Sequence, residues 1–361
     1  MIIDPNQYQQ QLDSKLAALR DNFADLELPQ IAVFPSPPLY FRMRAEFRIW
    51  HEGERSHYAM SPPGGGKPQP ISGFDIGSDA IQTAMPRLLD AIHSHTVLRR
   101  RLYAVEFLTT RDGQVLVTLI YHRPLGDDWL AAATAVRDGL GIDLIGRSRK
   151  QKRVVGRDHV VETFSVSGRQ LSYQQVESGF TQPNAEVNEA MLNWAVAASR
   201  GDSHGDLLEL YCGNGNFTLA LAANFRRVLA TEVAKLSVAS ALHNIALNGI
   251  DNIALVRMSS EEFTDAWNGV RPFRRLRDID LASYRFSTVF VDPPRAGLDP
   301  DTLELTRRFE RILYISCNPH TLKDNLTALA DSHRIEKFAV FDQFPYTHHL
   351  ECGALLARRH T

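Results

Sequence analysis

The sequence predicts an α/β protein with two domains, a largely antiparallel α+β domain followed by a doubly wound domain with a mostly parallel sheet. A chain of 361 residues is longer than one ordinary core requires. Runs of alternating polarity dominate the first half, whereas the second half alternates buried-type apolar runs with helical patterns. We therefore place one domain at residues 1–172 and the other at residues 173–361.

The N-terminal domain shows one clear helical pattern and several strand patterns. Apolar residues over Asn6–Phe23 are spaced for one face of a helix. Met43–His51 alternates like a half-buried strand. Two further runs, Tyr103–Thr110 and Gln114–His122, flank an Asp-Gly turn, which is typical of a β-hairpin. We expect mainly antiparallel strands here, with few helices.

The C-terminal domain alternates strands with helices. This alternation predicts βαβ units and a mostly parallel sheet that is covered on both faces. The predicted strands are Asp206–Tyr211, Val228–Val233, Ile253–Met258, Thr288–Arg295, Ile312–Pro319 and a closing pair at Ile335–Phe341 and Cys352–Ala357.

Composition excludes several classes of protein. With 44% hydrophobic and 23% charged residues the chain is not a disordered one, and a net charge of -2 gives no general attraction to nucleic acid. Three scattered cysteines without a C-x-x-C pair argue against a disulfide framework and against thiolate metal sites, so we expect no metal. The N-terminus lacks a secretory signal, and no run reaches the roughly 20 apolar residues that span a bilayer. We expect a cytoplasmic protein without membrane contact.

A glycine-rich turn, Gly213–Phe217, follows the first predicted strand of the C-terminal domain. Such a turn lets the backbone approach a ligand, although a lone Gly-x-Gly is also common in turns without one. Thr218 stands where a dinucleotide fingerprint has its third glycine, and Glu232 ends the second strand, where it can bind ribose hydroxyls. We therefore expect S-adenosylmethionine as the cofactor.

An Asp-Pro-Pro element begins at Asp292, on the fourth apparent strand of this domain. It places a carboxylate at the carboxyl edge of the sheet, where doubly wound folds bind ligands. Amino-methyltransferases that act on adenine or cytosine carry a similar element followed by an aromatic residue. Here Arg295 follows, which weakens that interpretation.

Cys317 and Glu351 are a candidate nucleophile and a candidate base. Cys317 ends a buried strand just before Pro319, a residue suited to a helix start, and the helix N-terminus should favour the thiolate. Carbon 5 of uracil becomes nucleophilic once a thiolate adds to carbon 6, and a base must then remove the carbon-5 proton. Glu351 lies near the end of the sheet; a surface acid is the alternative, and a metal at His348 and His349 lacks further ligands.

Several segments resemble the uracil-5 RNA methyltransferases. They are ELYCGNGNF, FVDPPRAGLD, ISCNP and QFPYTHHLECG, and RMRAEFRIWH and SGFTQPN extend the resemblance to nearly the whole chain. The resemblance implies a Rossmann-like class I methyltransferase domain behind an N-terminal RNA-binding domain. It is nearest to the bacterial members that act on tRNA, because this chain lacks the N-terminal extension and the four iron–sulfur cysteines that ribosomal-RNA members often carry.

The resemblance also implies roles for particular residues and partners. Cys317 would be the nucleophile and Glu351 the proton acceptor. The implied S-adenosylmethionine contacts are Gln182, Tyr211, Asn216, Glu232 and Asp292. The implied substrate is the T-arm of tRNA, methylated at uridine 54 in the T-loop, with the similar loop of transfer-messenger RNA as a second substrate. We expect a monomer.

RNA contacts would come from local charge and exposed rings. Three basic clusters predict a phosphate-binding surface, although each alone is also typical of a solvated face. They are Arg147, Arg149, Lys150, Lys152, Arg153 and Arg157; Arg99, Arg100 and Arg101; and Arg271, Arg274, Arg275 and Arg277. The aromatic residues that could stack on splayed bases are Phe47, Trp50, Tyr103 and Phe107, although strand positions also suit a core.

Three alternatives stay open at this level. A ribosomal RNA could be the substrate of the same chemistry. The Asp-Pro-Pro element could serve an adenine amino-methyltransferase. The protein could also refold tRNA as a chaperone, beside any catalysis.

Overall fold

The computed structural model describes residues 3–62, 64–201 and 204–360. In chain order its strands are β1 Ile31–Phe34, β2 Arg44–Glu52, β3 Arg55–Met60, β4 Gln69–Pro70, β5 Leu102–Thr109, β6 Val115–Tyr121, β7 Asp143–Ser148, β8 Gln151–Val155, β9 His159–Val166, β10 Arg169–Val176, β11 Asp206–Leu210, β12 Arg227–Thr231, β13 Ile253–Val256, β14 Phe286–Val291, β15 Arg311–Ser316, β16 His333–Phe341 and β17 Glu351–Arg358.

The α-helices are α1 Tyr8–Asn22, α2 Asp79–Ser94, α3 Thr96–Arg99, α4 Asp127–Leu140, α5 Ala185–Ser199, α6 Asn216–Leu221, α7 Lys235–Leu247, α8 Ser260–Trp267, α9 Pro300–Thr306 and α10 Pro319–Leu329. Within the residues that the structure describes, no helix combines the length and the apolar content needed to cross a membrane.

The chain forms two compact units whose segments are interleaved in sequence. Unit 1 consists mainly of Pro37–Glu162 and Gln174–Ala185. Unit 2 contains Asn6–Ser36, Thr163–Tyr173 and the chain from Glu186 onward. The sequence predicts one boundary, between residues 172 and 173, whereas the chain passes between the two units several times.

Unit 1 is built on a seven-stranded sheet in the order β4-β3-β2-β5-β6-β7-β8. All neighbouring pairs are antiparallel except β6 with β7. The predicted hairpin is confirmed, since β5 and β6 pair with Phe107 opposite Val117. On β2 the buried residues Ala45, Phe47 and Ile49 alternate with more exposed ones, as the alternating sequence pattern predicts.

Unit 2 is built on an eight-stranded sheet in the order β1-β16-β17-β15-β14-β11-β12-β13. The pairs within β15-β14-β11-β12-β13 are all parallel, and β17 is antiparallel to both of its neighbours. The predicted doubly wound sheet is therefore confirmed. From β11 the chain moves outward to β12 and β13, and it then returns to β14 on the other side. This reversal at β11 opens a crevice at the carboxyl ends of β11 and β14, where such folds bind ligands.

The N-terminal helix belongs to unit 2. The predicted amphipathic helix is confirmed as α1, whose buried residues Leu12, Leu16 and Leu19 lie in the same core as the sheet. Phe23, at the end of α1, packs edge-on against Phe338 of β16 with 5.4 Å between ring centroids. The apolar face of α1 thus explains why the first residues of the chain pack on the C-terminal sheet.

Candidate active site

The predicted site residues of unit 2 gather at one edge of its sheet. Cys317 follows β15, Asp292 follows β14, Tyr211 follows β11 and Glu232 follows β12. Because these strands are parallel, their carboxyl ends share one edge. Glu351 begins β17, which runs antiparallel to β15, so its first residue lies at that same edge. The carboxyl edge therefore brings all five together, although they are spread over 141 positions of the sequence, from 211 to 351.

Cys317 and Glu351 form what we call the catalytic end of this edge, together with Asp292 and Arg295. In the ladder between β15 and β17, Ser316 is opposite Cys352, so the candidate thiol and carboxyl are each adjacent to this pair. Cys317 is half-buried and Glu351 is 4% exposed. These positions let a thiol and a carboxyl act on the same small ring.

Burial raises the pKa values of the catalytic end. The pKa of Glu351 is raised to about 8 by burial and by the neighbouring Asp292 carboxyl, and Arg295 opposes that rise. Burial raises the pKa of Asp292 to about 7. Burial also raises the pKa of the Cys317 thiol, to which the carboxyls of Glu351 and Asp292 add, while Arg295 lowers it. The expectation that the helix N-terminus would favour the thiolate is outweighed by this burial and these two acids.

Arg295 connects the catalytic end to the loop before β17. Its Nη2 lies 2.8 Å from Nδ1 and 3.0 Å from Nε2 of the His349 ring, so the guanidinium packs against the ring instead of donating to one nitrogen. Burial and the cation of Arg295 lower the pKa of His349, which favours the neutral ring at this contact. The backbone of Arg295 is held as well, since Asn318 Nδ2 donates to its carbonyl oxygen at 2.9 Å. By its motif alone, Arg295 is only a departure from the amino-methyltransferase pattern; the signal in the sequence is an arginine directly after a strand-edge Asp-Pro-Pro.

Tyr211, Gly213, Gly215 and Glu232 form what we call the cofactor end of the edge. Both carboxylate oxygens of Glu232 accept backbone hydrogen bonds, one from Gly213 N at 3.0 Å and one from Ala234 N at 2.7 Å. Gly215 has φ 86°, and a Cβ there would lie 2.7 Å from Leu219 Cδ1, so only glycine fits.

Tyr211 leaves β11 with φ 62°, a left-handed conformation that a tyrosine rarely adopts. Its hydroxyl lies 3.0 Å from Ser260 Oγ. A cleft of about 370 Å³ adjoins this turn and is lined by Tyr211, Glu232, Met258 and Leu298, among others. The strained residue and the glycine turn together shape a concave site beside the topological switch point.

The remaining two predicted cofactor contacts are Asn216 and Gln182. The side chain of Asn216 makes a reciprocal pair with Asn188, with Nδ2 to Oδ1 distances of 2.9 and 3.0 Å. Each amide keeps one further donor and one lone pair. Gln182 lies in unit 1, and its buried Oε1 has no hydrogen-bond partner among the residues that the structure describes. An orphaned buried acceptor of this kind is what a missing ligand would leave.

The other two cysteines are buried in the core. Cys212 is 5% exposed and Cys352 is 0% exposed, and burial raises both thiol pKa values well above the ordinary value. This agrees with their interpretation as packing residues. Across the described ranges, no group of three or more His, Cys, Asp or Glu side chains is arranged to hold a metal ion.

One buried acid of the site region was not singled out from the sequence. Glu209, on β11, is 1% exposed, and burial with the nearby Asp292 carboxyl raises its pKa to about 8. An acid inside an otherwise apolar strand, DLLEL, was the signal that could have found it.

Two of the three predicted basic clusters, 147–157 and 271–277, are partly neutralised by acids. Arg147 pairs with Glu177, and Arg157 pairs with Asp143 at 2.9 Å. The other ion pairs are Lys152 with Asp158 and Glu177, Arg153 with Asp127, Arg271 with Asp265, Arg275 with Glu262 and Arg277 with Asp278. Less charge is therefore available to phosphates than the residue counts suggest.

The four aromatic candidates divide into two pairs. Phe47 and Phe107 are 1% and 0% exposed and belong to the core of unit 1. Trp50 and Tyr103 are 43% and 37% exposed, and the Tyr103 ring is stacked on His122 with 4.1 Å between centroids. The Arg48 guanidinium also lies 3.7 Å from the centroid of the Tyr103 ring, so among the four candidates Trp50 is the ring most open to a base.

Comparisons with known proteins agree with this architecture. A family model described as tRNA (Uracil-5-)-methyltransferase matches residues 7–359. A Cellvibrio japonicus protein named tRNA/tmRNA (uracil-C(5))-methyltransferase is 57% identical over 352 residues, which cover 98% of this chain and 96% of that protein. A Vibrio vulnificus protein of the same name is 53% identical over 364 residues, covering 99% and 98%.

A solved structure confirms the predicted class I methyltransferase fold. The crystal structure of Pyrococcus abyssi tRNA (uracil-54, C5)-methyltransferase in complex with S-adenosyl-L-homocysteine superposes with a TM-score of 0.74 at 19% identity, covering 97% of this chain and 83% of that one. At this identity the likeness concerns the fold. The family match and the near-complete relatives carry the assignment: the chain belongs to the tRNA (uracil-5-)-methyltransferase family.

Proposed function

We propose that the protein methylates carbon 5 of a uracil in the T-loop of tRNA, at uridine 54, with S-adenosylmethionine as the methyl donor. The observation that carries this proposal is the convergence of Cys317, Glu351 and Arg295 at one sheet edge. A thiol and a buried carboxyl beside it are the two groups that substitution at uracil carbon 5 requires. The relatives are named tRNA/tmRNA (uracil-C(5))-methyltransferase, which supports tRNA as the substrate and transfer-messenger RNA as a second substrate.

The cofactor end suits S-adenosylmethionine. Its cleft of about 370 Å³ lies within the range of about 300–1,000 Å³ that is common for small-molecule sites. Glu232 has spare lone pairs for ribose hydroxyls, because each of its oxygens accepts one backbone N–H in the structure. We assign Tyr211, Asp292 and Asn216 to the same ligand, and we keep Gln182 as the contact that the family resemblance implies. When bound, S-adenosylmethionine supplies an electrophilic methyl group.

Cys317 begins the chemistry as a thiolate. Its sulfur adds to carbon 6 of the ring, and the electrons of the double bond move through carbon 5 toward the carbonyl oxygen at carbon 4. Carbon 5 then carries the electron density that takes the methyl group. Arg295 assists because its guanidinium lowers the pKa of the thiol against the opposing effects of burial, Glu351 and Asp292.

Glu351 completes the reaction as the base. Its carboxylate takes the carbon-5 proton, the electrons of that bond restore the double bond, and the bond from carbon 6 to sulfur breaks with its electron pair on sulfur. A pKa of about 8 places this carboxyl close to neutral pH, where a group can both accept a proton and release it again.

Unit 1 supplies RNA contacts in this proposal. The target uridine has to leave the base stack to reach Cys317. Trp50 offers an exposed ring for a base of the T-arm, and Arg149 and Lys150 are exposed cations for its phosphates. A monomeric enzyme in the cytoplasm, where it meets its tRNA, is part of the same proposal.

Product analysis tests the proposal directly. Unmodified tRNA is incubated with labelled S-adenosylmethionine and the wild-type protein, and the modified nucleoside is identified and mapped by mass spectrometry. We expect 5-methyluridine in the T-loop. Methyladenosine would instead support an amino-methyltransferase that uses the Asp-Pro-Pro element, and methylation confined to ribosomal RNA would assign another substrate.

The nucleophile is tested by trapping. We expect Cys317→Ala to lower methylation by at least about 10³-fold while the variant still binds tRNA. RNA that carries 5-fluorouracil at the target should form a covalent adduct with the wild type and with the control Cys212→Ala, and none with Cys317→Ala. A normal rate in Cys317→Ala would rule out the covalent mechanism. Refolding of tRNA by this variant would reveal a chaperone activity beside catalysis.

A further inference from the structure

The loop that leads into Glu351 is fastened to α1 by a buried lysine. This loop, Asp342–Leu350, connects β16 to β17 without regular secondary structure. We propose that Lys15, assisted by Gln11, is a positioning residue that holds the loop and thereby places Glu351 and Arg295 for the reaction. The inference rests on the proposed function. It gives a positioning role to α1, which lies more than 300 positions before Glu351 in the sequence.

Lys15 uses its full donor capacity on the loop. Its Nζ lies 2.6 Å from Asp342 Oδ1, 2.9 Å from the carbonyl oxygen of Phe344 and 3.0 Å from that of His349. An ammonium has three N–H donors, so each one has a loop acceptor. Since these acceptors lie near the start and near the end of the loop, one side chain sets the distance between its two ends.

Gln11, one helical turn earlier on the same face of α1, fastens the middle of the loop. Its Nε2 donates to the carbonyl oxygen of Thr347 at 3.1 Å, and its Oε1 accepts from Tyr346 N at 3.0 Å. Tyr346 has φ 62°, a conformation that is unfavourable for a residue with a side chain. The two hydrogen bonds of Gln11 thus hold a residue that would otherwise relax.

Burial indicates that this contact serves geometry rather than stability. The side chain of Lys15 is 6% exposed and that of Asp342 is 0% exposed. Removing two charges from water offsets most of their attraction, so apolar side chains of similar size would stabilise a fold about as well. Apolar side chains, however, cannot donate hydrogen bonds to the carbonyls of Phe344 and His349.

The fastened loop reaches both reacting groups of the proposed mechanism. Lys15 holds the carbonyl oxygen of His349, whose ring packs against the Arg295 guanidinium, and Arg295 lowers the pKa of the Cys317 thiol. Two residues beyond His349 lies Glu351. Gln11, Lys15 and Cys317 also line one cleft of about 800 Å³. A shift of the loop would therefore displace the base and the cation beside the nucleophile together.

Three variants separate positioning from folding. The double variant Lys15→Met with Asp342→Leu removes both buried charges together, so that neither is left unpaired, and its melting temperature is measured beside kcat. Gln11→Ala removes the two loop hydrogen bonds at a partly exposed position and is the milder test. Lys323→Met is the matched control, because it removes another lysine ion pair of unit 2, with Asp25, that does not contact the loop.

We expect the double variant to lose about 10- to 100-fold in kcat, with KM for tRNA and for S-adenosylmethionine close to wild type. Gln11→Ala should lose several-fold in kcat and show faster amide hydrogen exchange across residues 342–350, whereas Lys323→Met should match the wild type in both. If Lys15 and Gln11 had a purely structural role, kcat would fall only in variants whose melting temperature also falls.

Two results would overturn the proposal: a folded double variant with kcat within twofold of wild type, or a Gln11→Ala variant whose loop exchange and kcat are unchanged. If the double variant fails to fold, Gln11→Ala decides. Failure of the proposed function is recognised separately, because the wild type would then form no 5-methyluridine while the exchange of the loop would still report on its attachment.

Discussion

The carboxyl groups at the two ends of the unit 2 sheet edge have opposite surroundings: one has hydrogen-bond partners for both oxygens, and the other is buried with a raised pKa. At the cofactor end, both oxygens of Glu232 accept backbone hydrogen bonds. At the catalytic end, burial raises the pKa of Glu351, the proposed base, to about 8. A group that holds a ligand benefits from a fixed charge with satisfied partners. A group that moves a proton must keep both protonation states within reach, and incomplete solvation achieves this.

The backbone follows the same division. The cofactor end depends on left-handed residues, Tyr211 and Gly215, which shape a rigid turn. The catalytic end depends on side chains that are brought together from the ends of β14, β15 and β17 and from the loop after β14. Substitutions at the first should therefore change binding, and substitutions at the second should change chemistry and its pH dependence.

The largest effect is expected at Glu351. Replacing it by Gln keeps the shape but removes the base, so kcat should fall by about 10²- to 10⁴-fold. The covalent adduct with RNA should accumulate, because the carbon-5 proton stays in place and the thiol cannot leave. Gel electrophoresis under denaturing conditions measures the adduct. If Glu351→Gln keeps a normal kcat and forms no adduct, Glu351 is not the base, and the two ends of the sheet edge do not differ in the way proposed.

A smaller and different effect is expected at Glu232. Glu232→Ala should raise KM for S-adenosylmethionine by about 10- to 100-fold, the value of a few hydrogen bonds to a charged group, and leave kcat nearly unchanged. Initial rates at varied cofactor concentration measure both constants. Glu304→Ala, an exposed acid on α9, is the control. A loss confined to kcat would place Glu232 with the chemistry instead of with binding.

The pH dependence tests the influence of Arg295. Both Cys317 and Glu351 must lose a proton, and both have raised pKa values, so kcat/KM should fall by at least about tenfold for each pH unit below 8. Arg295 lowers both pKa values, so Arg295→Met should shift the rise of the profile to higher pH and lower the rate several-fold at pH 7. Arg334→Met, in a surface ion pair with Glu336, should leave the profile unchanged. Identical profiles for Arg295→Met and wild type would separate Arg295 from the reacting groups.

The smallest effect concerns stability. The pKa of Glu351 is raised from 4.5 to about 8 on folding, so its stabilising contribution is complete below pH 4.5 and is lost as pH rises toward 8. Glu351→Gln should therefore gain on the order of a few kcal/mol in unfolding free energy at pH 9, and little at pH 5. Urea unfolding at the two pH values measures this. An equal gain in unfolding free energy at the two pH values would show that folding does not raise the pKa of Glu351.

Much of this protein could be read from its sequence because the relevant signals are local. Apolar runs interrupted by Gly213, Asp292 and Cys317 place polar residues at strand ends, and parallel strands bring such ends to one edge whatever the loops between them. The helix at the N-terminus, the β5–β6 hairpin and the parallel order of the second sheet follow from the same periodic patterns.

Contacts between separate segments were decided only by the tertiary structure. Lys15 and Asp342 meet across 327 positions: Lys15 lies on the buried face of α1 with Leu12 and Leu19, but that spacing cannot name the acid it pairs with. The partners of Arg147 and Arg157, Glu177 and Asp143, lie 30 and 14 positions away, and Phe47 and Trp50 lie on opposite faces of the sheet. The pKa of Cys317 rose for the same reason: hydration and the charges of neighbours are properties of the assembled edge, not of the segment that carries the thiol.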